Sequence, residues 1–418
     1  MQKVKDKAYR FLRWTEKYTK TDMVYLTHGG FWLTGGQILT TSVNFILSIA
    51  FAYFLTKDTY GTYRYILSIA SVMTAFSLTG LSTAVLQSVA RGFEGSLRSA
   101  FRLSMKWSVP MIIISIGTAV YYFLHQNNIL GVSLLIAAVC SPFMVSAGLF
   151  ASYINGKKDY RRLSIYNFLD NVIPTLLILG ALFINKSIFV IVAVYFISNV
   201  IVALALYRKT LKTFNPGSEE DSGMYGYSKK MSLLNIIGLI AVQADRVLIF
   251  TVIGAPELAI YAIAVAFPEH AKAIVRNIGT ILIPKLAEKG EGHTNLGMKR
   301  KIFIFSALLV LATALYIFLA PYLFQIFFPK YMEAVWYSQM YALSIAATLS
   351  IVFSSVLLAH KKTKELLVIS IANPLFQIVI TYIFLRIWGL SGVVFARVIS
   401  AYLILLIFVL LVRKDYEI

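Results

Sequence analysis

Asp245 and Arg246 interrupt an apolar run at 231–253, and Glu269, Lys272 and Arg276 lie inside the next one, at 258–284. A charged side chain near a bilayer centre costs roughly 2.5–3.5 kcal/mol even on insertion scales, so such residues face protein or water and mark functional positions. Glu269, Lys272 and Arg276 stand at i, i+3 and i+7, which puts them on one face of a helix. With the helix starting near residue 258, Glu269 falls near the midplane and Arg276 about 10 Å further toward the cytoplasm. Asp245-Arg246, on the antiparallel preceding run, falls in the outer half. Cations outnumber carboxylates here, and arginine offers bidentate, permanently charged donors, so the chemistry on offer is anion recognition. The competing reading is that Asp245, Arg246, Glu269 and Lys272 neutralise one another and only fix helix packing.

Other intramembrane polar groups are fewer. Ser164, Asn167, Asp170 and Asn171 form a stripe near the kink-permitting Pro174, read either as interhelical hydrogen bonding or as a cavity wall with a cation site at Asp170. Carboxylates held in a membrane serve as proton or ion relays, so Asp245, Glu269 and Asp170 are the candidates for H+ or Na+ coupling. Gln37 and Asn44 share one face of the first span, for packing or for a cavity. Arg397 either snorkels outward from about 12 Å depth or turns inward. Arg64 sits at the outer mouth of the second span, where an interfacial arginine is ordinary. The five histidines have no metal-ligand spacing, and there is no phosphate-loop, dinucleotide or HExxH motif, so no metal, cofactor or ATP hydrolysis is expected. The one cysteine, Cys140, excludes a disulfide framework.

The elements that must position these groups are membrane spans. The chain is 58% hydrophobic and 14% charged, where soluble domains are nearer half and a quarter, so it is all-α and integral to a membrane. Twelve apolar stretches, each near the 17–25 residues a span needs, fall near 31–55, 63–90, 107–125, 129–154, 164–184, 187–207, 231–253, 258–284, 302–321, 334–359, 365–385 and 388–411. With the N-terminus inside, this count puts 30 Lys and Arg in cytoplasmic segments and 5 outside, a bias that places both termini in the cytoplasm. The net charge of +20 is therefore loop charge that orients the chain, and no nucleic-acid partner is expected. No cleavable signal is visible in the basic segment 1–30, which either lies on the inner leaflet as an amphipathic helix or frays.

A linker at 208–230, with Asn215-Pro216-Gly217-Ser218 before Glu219-Glu220-Asp221, divides a first six-helix lobe (31–207) from a second (231–411), and 412–418 is a cytoplasmic tail. The halves echo each other. Asp58-Thr59-Tyr60-Gly61-Thr62-Tyr63 is matched by Pro256-Glu257-Leu258-Ala259-Ile260-Tyr261, and Asn171 and Pro174 by Asn373 and Pro374. Six spans per half makes this a parallel repeat, typical of transporters in which one bundle rocks against the other. The halves differ in charge, since Ser48 stands where the repeat would place Arg246, so the anion site is expected mainly in the C-terminal lobe.

The stretch Phe51-Ala52-Tyr53-Phe54-Leu55…Asp58…Tyr60-Gly61…Tyr63, followed by Thr79-Gly80-Leu81 and Arg91, resembles the polysaccharide flippases (Wzx-type O-antigen transporters). These belong to the multidrug/oligosaccharidyl-lipid/polysaccharide (MOP) exporter superfamily. Gln243…Asp245-Arg246, the turn ending at Tyr261, Pro284 and Gly389-Leu390-Ser391-Gly392 carry the same likeness, whereas Ala259 stands where glycine is common. The resemblance implies a V-shaped bundle of two lobes in the cytoplasmic membrane that alternates by a rocker switch. It implies translocation of an undecaprenyl-diphosphate-linked oligosaccharide to the outer leaflet, among membrane lipids, with an H+ or Na+ counter-ion and polysaccharide assembly proteins as partners. Arg246, Lys272 and Arg276 are then the candidates for the diphosphate, and Arg397, Arg64, Gln37 and Asn44 for the cavity wall. A cation-coupled multidrug exporter of the same superfamily is the alternative, disfavoured by the Lys272/Arg276 face. Lipid II flippases commonly carry two more helices, and a membrane glycosyltransferase or polymerase needs a larger outer loop.

Overall fold

The computed structural model describes residues 23–287, 296–359 and 363–416. Most of the basic N-terminal segment, amphipathic or not, lies outside the described residues. Every regular element among them is helical: α1 (Met23–Phe54), α2 (Lys57–Thr74), α3 (Leu81–Ala90), α4 (Ser96–Lys106), α5 (Val109–Leu124), α6 (Asn128–Ala147), α7 (Leu149–Gly156), α8 (Tyr160–Ile184), α9 (Ile188–Phe214), α10 (Met224–Val252), α11 (Ala255–Ala287), α12 (Leu296–Phe327), α13 (Ala334–Ala346), α14 (Ser350–Ala359) and α15 (Thr363–Tyr416). Nine helical stretches among the described residues are long and apolar enough to cross a membrane, which makes this a multi-pass membrane protein.

The expected spans that fall outside those nine do so for physical reasons. The longest stretch, Glu365–Val412, runs through two expected spans, because Gly389 breaks α15 with φ +58° and ψ −138°, a conformation open mainly to glycine. The span expected at 63–90 is split into α2 and α3, and α11 carries the charges noted above. These two charged or interrupted elements pack on each other. Their approach is close enough that a Cβ on Gly61 would stand 1.8 Å from the Ala255 carbonyl oxygen. Residues 258–265 of α11 are all buried, at most 9% exposed, so the helix is covered around its whole circumference. Beyond that buried stretch the helix carries Glu269 and Lys272, which pair with each other, so neither charge stands alone.

Local signals set the ends. The Thr56 hydroxyl accepts the Thr59 N–H at 3.2 Å to start α2, Asn127 caps α6 by accepting the Leu130 N–H at 3.1 Å, and Asp159 caps α8 by accepting the Arg162 N–H at 3.0 Å. Asn215, at φ +41°, closes α9.

Buried apolar residues separate by end of the bundle. At the end with the short connections 55–56, 185–187 and 253–254, one cluster joins Phe51, Tyr63 and Ile191 to Tyr261, Phe324 and Val393, so both halves of the chain share a core. Toward the end bearing residues 215–223, a cluster of the N-terminal half around Phe150 and Tyr153 is distinct from one around Phe353 and Leu357. Polar contacts follow suit. At the short-loop end Lys57 pairs with Glu333, and Lys330 Nζ donates to the Tyr53 carbonyl at 2.7 Å. At the other end Asp221 accepts from Ser88 Oγ at 2.6 Å and pairs with Arg91, while the Gly95 N–H donates to the Glu219 carbonyl at 2.9 Å. Segment 215–223 is thus seated on the N-terminal half.

Candidate functional site

The intramembrane charges of the C-terminal half gather around one cavity of about 550 Å³. Asp245, Arg246, Tyr261, Glu269, Lys272, Tyr341 and Arg397 all line it, with Asn373, Gln377 and Ser400. Four elements contribute, and α11 at the centre supplies Tyr261, Glu269 and Lys272 one or two turns apart.

Asp245 is 3% exposed and fully engaged. Its Oδ2 accepts from Arg397 Nη2 at 2.7 Å, from Arg397 Nε at 3.1 Å and from the Tyr261 hydroxyl, and its Oδ1 accepts the Arg246 backbone N–H at 2.9 Å. Arg397 therefore turns inward to Asp245 rather than snorkelling to the outer surface. One guanidinium held by a buried carboxylate stays desolvated because the pair satisfies both charges. The Asp245–Arg397 partnership also differs from the pairing of Asp245 with its sequence neighbour: Arg246 points elsewhere, its Nη1 donating to Gln243 Oε1 at 2.8 Å.

A second pair lies deeper. Lys272 Nζ donates to Glu269 Oε1 at 3.0 Å, the Tyr341 hydroxyl donates to the same oxygen at 2.6 Å, and Lys272 sits 4.1 Å from the Tyr341 ring centroid, a cation–π contact. Among the described residues, three cations and two carboxylates line the cavity. The cation without a carboxylate hydrogen bond among them is Arg246, whose Nε is buried and meets no hydrogen-bond partner among the described residues. Asp245 is thus paired with Arg397 and Glu269 with Lys272, and Arg246 lines the same cavity without a carboxylate hydrogen bond among the described residues.

The remaining candidates disperse. Arg276 lies on α11, but its side chain lies outside the described residues. Arg64 is half-buried near the start of α2, which α10 and α11 cover, and its Nε is buried with no hydrogen-bond partner among the described residues. Gln37 and Asn44 are exposed on α1 and do not line the cavity. In α8, Ser164 serves packing, its Oγ donating to the Trp32 carbonyl at 2.7 Å, and Asn171 donates to the Asn167 carbonyl at 2.8 Å. Asp170 stands apart from the cavity with Oδ1 buried and unpartnered. Among the described residues no group of His, Cys, Asp and Glu is arranged to hold a metal ion. Sequence reasoning did not select Tyr341, Asn373, Gln377 or Ser400 for this site. Asn373 and Gln377, four apart in an apolar run, were the available signal.

The same fold occurs in solved structures of membrane transporters. A lipid II flippase, MurJ, in an inward closed conformation superposes with a TM-score of 0.70 at 14% identity, over 92% of this chain and 89% of that one. An inward-facing multidrug resistance MATE family transporter of the MOP superfamily gives 0.65 at 13% identity, over 90% and 94%. A MOP superfamily transporter from Pyrococcus furiosus, described as having a binding pocket of reversed polarity, gives 0.54 at 14% identity, over 93% and 95%. These similarities define a MATE/MurJ-like MOP fold. The family model described as polysaccharide biosynthesis protein matches residues 26–290, most of the chain, and the chain belongs to that family. No curated protein matches it significantly.

Proposed function

We propose that this protein is a flippase, not an enzyme, that carries an isoprenoid-diphosphate-linked oligosaccharide from the inner to the outer leaflet of the cytoplasmic membrane for surface polysaccharide biosynthesis. The observation that carries this reading is Arg246, a cation at a cavity lined otherwise by paired charges, hydroxyls, amides and a few aliphatic side chains. A diphosphate is a dense anion that a guanidinium binds in bidentate fashion. Asn373, Gln377, Ser400 and the two tyrosines offer the donors and ring faces that sugars accept. Family membership in polysaccharide biosynthesis supports a sugar-bearing cargo, and the MOP fold supports alternating access.

The topology that goes with this function has twelve passes, counting α2–α3, α11 and both parts of α15, in lobes 31–207 and 231–411 joined by a cytoplasmic linker at 208–230. Both termini lie in the cytoplasm and the short-loop end faces outward. The shared core at that end and separate cores at the other fit a form closed outside. A negative group moving outward across an inside-negative membrane gains about 2.3 kcal/mol per charge per 100 mV, so ATP is not needed. Asp245, Glu269 and Asp170 are the places where H+ or Na+ counterflow would enter.

The reading is tested by reconstituting the protein with a fluorescent lipid-linked oligosaccharide and following its access to an outside reagent. Wild-type protein moves the label, and Arg246→Ala with Lys272→Ala does not. Transport of cationic drugs without movement of the lipid-linked sugar would assign the chain to the multidrug alternative instead.

A further inference from the structure

A second cavity, of about 190 Å³, lies inside the N-terminal half between α2, α6 and α9. No charged side chain lines it among the described residues. Its walls carry the hydroxyls of Ser71, Thr74, Ser141 and Tyr195, the Phe196 ring and a few apolar side chains of α2 and α6. Several other hydroxyls of the N-terminal spans turn back on their own helix. Thr118 donates to the Ile114 carbonyl at 2.8 Å, Ser198 to that of Tyr195 at 3.1 Å, and Thr210 to that of Leu206 at 2.8 Å. Thr74 does so in this cavity, donating to the Ser71 carbonyl at 2.6 Å. Ser141 and Tyr195 do not, and neither hydroxyl makes a hydrogen bond among the described residues. The Tyr195 ring is nonetheless fixed, edge to face against Tyr63 with centroids 6.1 Å apart and against Phe196 at 5.1 Å.

The composition of the walls selects the occupant. An isoprenyl chain would strand two hydroxyls against hydrocarbon, which costs free energy wherever no partner meets them. A cationic guest finds no carboxylate here, and a diphosphate finds no cation. What fits is a neutral molecule with several hydroxyls and an apolar C–H face, which describes a pyranose ring. Size agrees, since drug-sized ligands take pockets of about 300–1,000 Å³, so 190 Å³ holds one ring rather than a chain of them. Position agrees too. Ser71 Oγ, in the wall, accepts from Gln243 Nε2 at 3.2 Å, and Gln243 Oε1 accepts from Arg246 Nη1 at 2.8 Å. A single glutamine amide thus links the neutral pocket to the cation of the larger cavity.

We infer that the N-terminal half holds a monosaccharide subsite, in which the Ser141 and Tyr195 hydroxyls bind the sugar ring next to the diphosphate of the cargo. This deepens the flippase reading and rests on it for the presence of a lipid-linked sugar. The two halves then divide the cargo's chemistry, the C-terminal half meeting its charge and the N-terminal half its first sugar. A site that hydrogen-bonds a substrate hydroxyl rejects the analogue lacking it far more strongly than an apolar site rejects a change of size, because its own polar groups are left unmet. Selectivity for that sugar therefore resides in α6 and α9, away from the charged cavity.

The test measures binding to the full chain in lipid nanodiscs. The probes are bare isoprenyl diphosphate, the same lipid carrying glucose, galactose, rhamnose or an N-acetylhexosamine, and the same lipid carrying a cyclohexyl group. In the wild type at least one glycosylated probe binds more tightly than the bare diphosphate, and the cyclohexyl probe does not. Tyr195→Phe and Ser141→Ala each reduce that sugar gain by about three- to tenfold, the worth of one neutral hydrogen bond, and leave affinity for the bare diphosphate where it was. Each removes one oxygen and little else, and an unchanged melting temperature shows the fold intact. No gain from any sugar, or a gain that both variants keep, overturns the subsite and leaves a pocket for water. An equal gain from cyclohexyl overturns it in favour of an apolar pocket, and an equal loss for every probe marks the two residues as structural. Flipping of lipid-linked sugar with the gain intact in both variants sinks the subsite and leaves the flippase standing. A hydroxyl-dependent gain in a wild type that flips nothing keeps the subsite and sinks the flippase.

Discussion

Removing one partner of the Asp245–Arg397 pair should be far more damaging than removing both. Asp245 is 3% exposed and the Arg397 side chain 20%, and the carboxylate accepts four hydrogen bonds, two of them from that guanidinium. Asp245→Asn leaves Arg397 buried without a counter-ion, and Arg397→Met leaves the carboxylate so. Either loss costs about 3–5 kcal/mol, because an uncompensated charge stays in a low-dielectric site. Neutral groups of similar volume replace such a pair at little cost, so Asp245→Asn/Arg397→Met should recover most of the stability. The expected coupling is about 3 kcal/mol or more, roughly a hundredfold in the unfolding equilibrium. Denaturant titration of the four proteins in mixed micelles or bicelles measures it. Additive losses would falsify the pair as drawn. Export by the same variants separates two roles: a purely structural pair gives export back in the double variant, whereas an Arg397 that touches cargo does not.

Gly61→Val should cripple folding or transport, since its Cβ would meet the Ala255 carbonyl oxygen at 1.8 Å, while Gly117→Ala, with nothing within 4 Å, should add about 0.5–1 kcal/mol; expression level and melting temperature report both. Cysteines replacing Lys57 and Glu333 should cross-link under oxidation and stop transport until reduced; a cross-linked protein that still transports would mean the short-loop end need not open. The Ser88 hydroxyl, with the Gly223 N–H and Arg91, holds the Asp221 carboxyl below its usual 3.8. A lowered carboxyl stabilises docking above that value and releases it only as the pH falls through the lowered one. Cleavage of segment 215–223 in inside-out vesicles should therefore be flat from pH 5 to 8 for the wild type and faster throughout for Asp221→Asn; equal rates would show that Asp221 does not hold the segment.

Hydropathy made most of the helices legible, and the energetic oddity of Asp245, Arg246, Glu269 and Lys272 made the cavity legible, because both are local properties of the chain. Pairing was not. Asp245 and Arg397 are 152 residues apart, and nothing in either neighbourhood distinguishes Arg397 from a side chain that reaches for the membrane surface. The extent of Arg64 burial is likewise beyond a local reading, because it is set by α10 and α11 folding over α2. Spacing assigns Gln37 and Asn44 to one helix face, but which way that face turns depends on the neighbours of α1.

The connections at the short-loop end are brief: two residues between α1 and α2, three between α5 and α6, three between α8 and α9, two between α10 and α11, six between α12 and α13, and the single break at Gly389 within α15. In the orientation proposed above, a cell making this protein presents almost none of it to the outside. Antibodies, phage tail proteins and extracellular proteases would find little protruding to grip. If the proposed function holds, immune or viral pressure would fall on the exported glycan and the enzymes that vary it, leaving the carrier free to change only as its cargo changes.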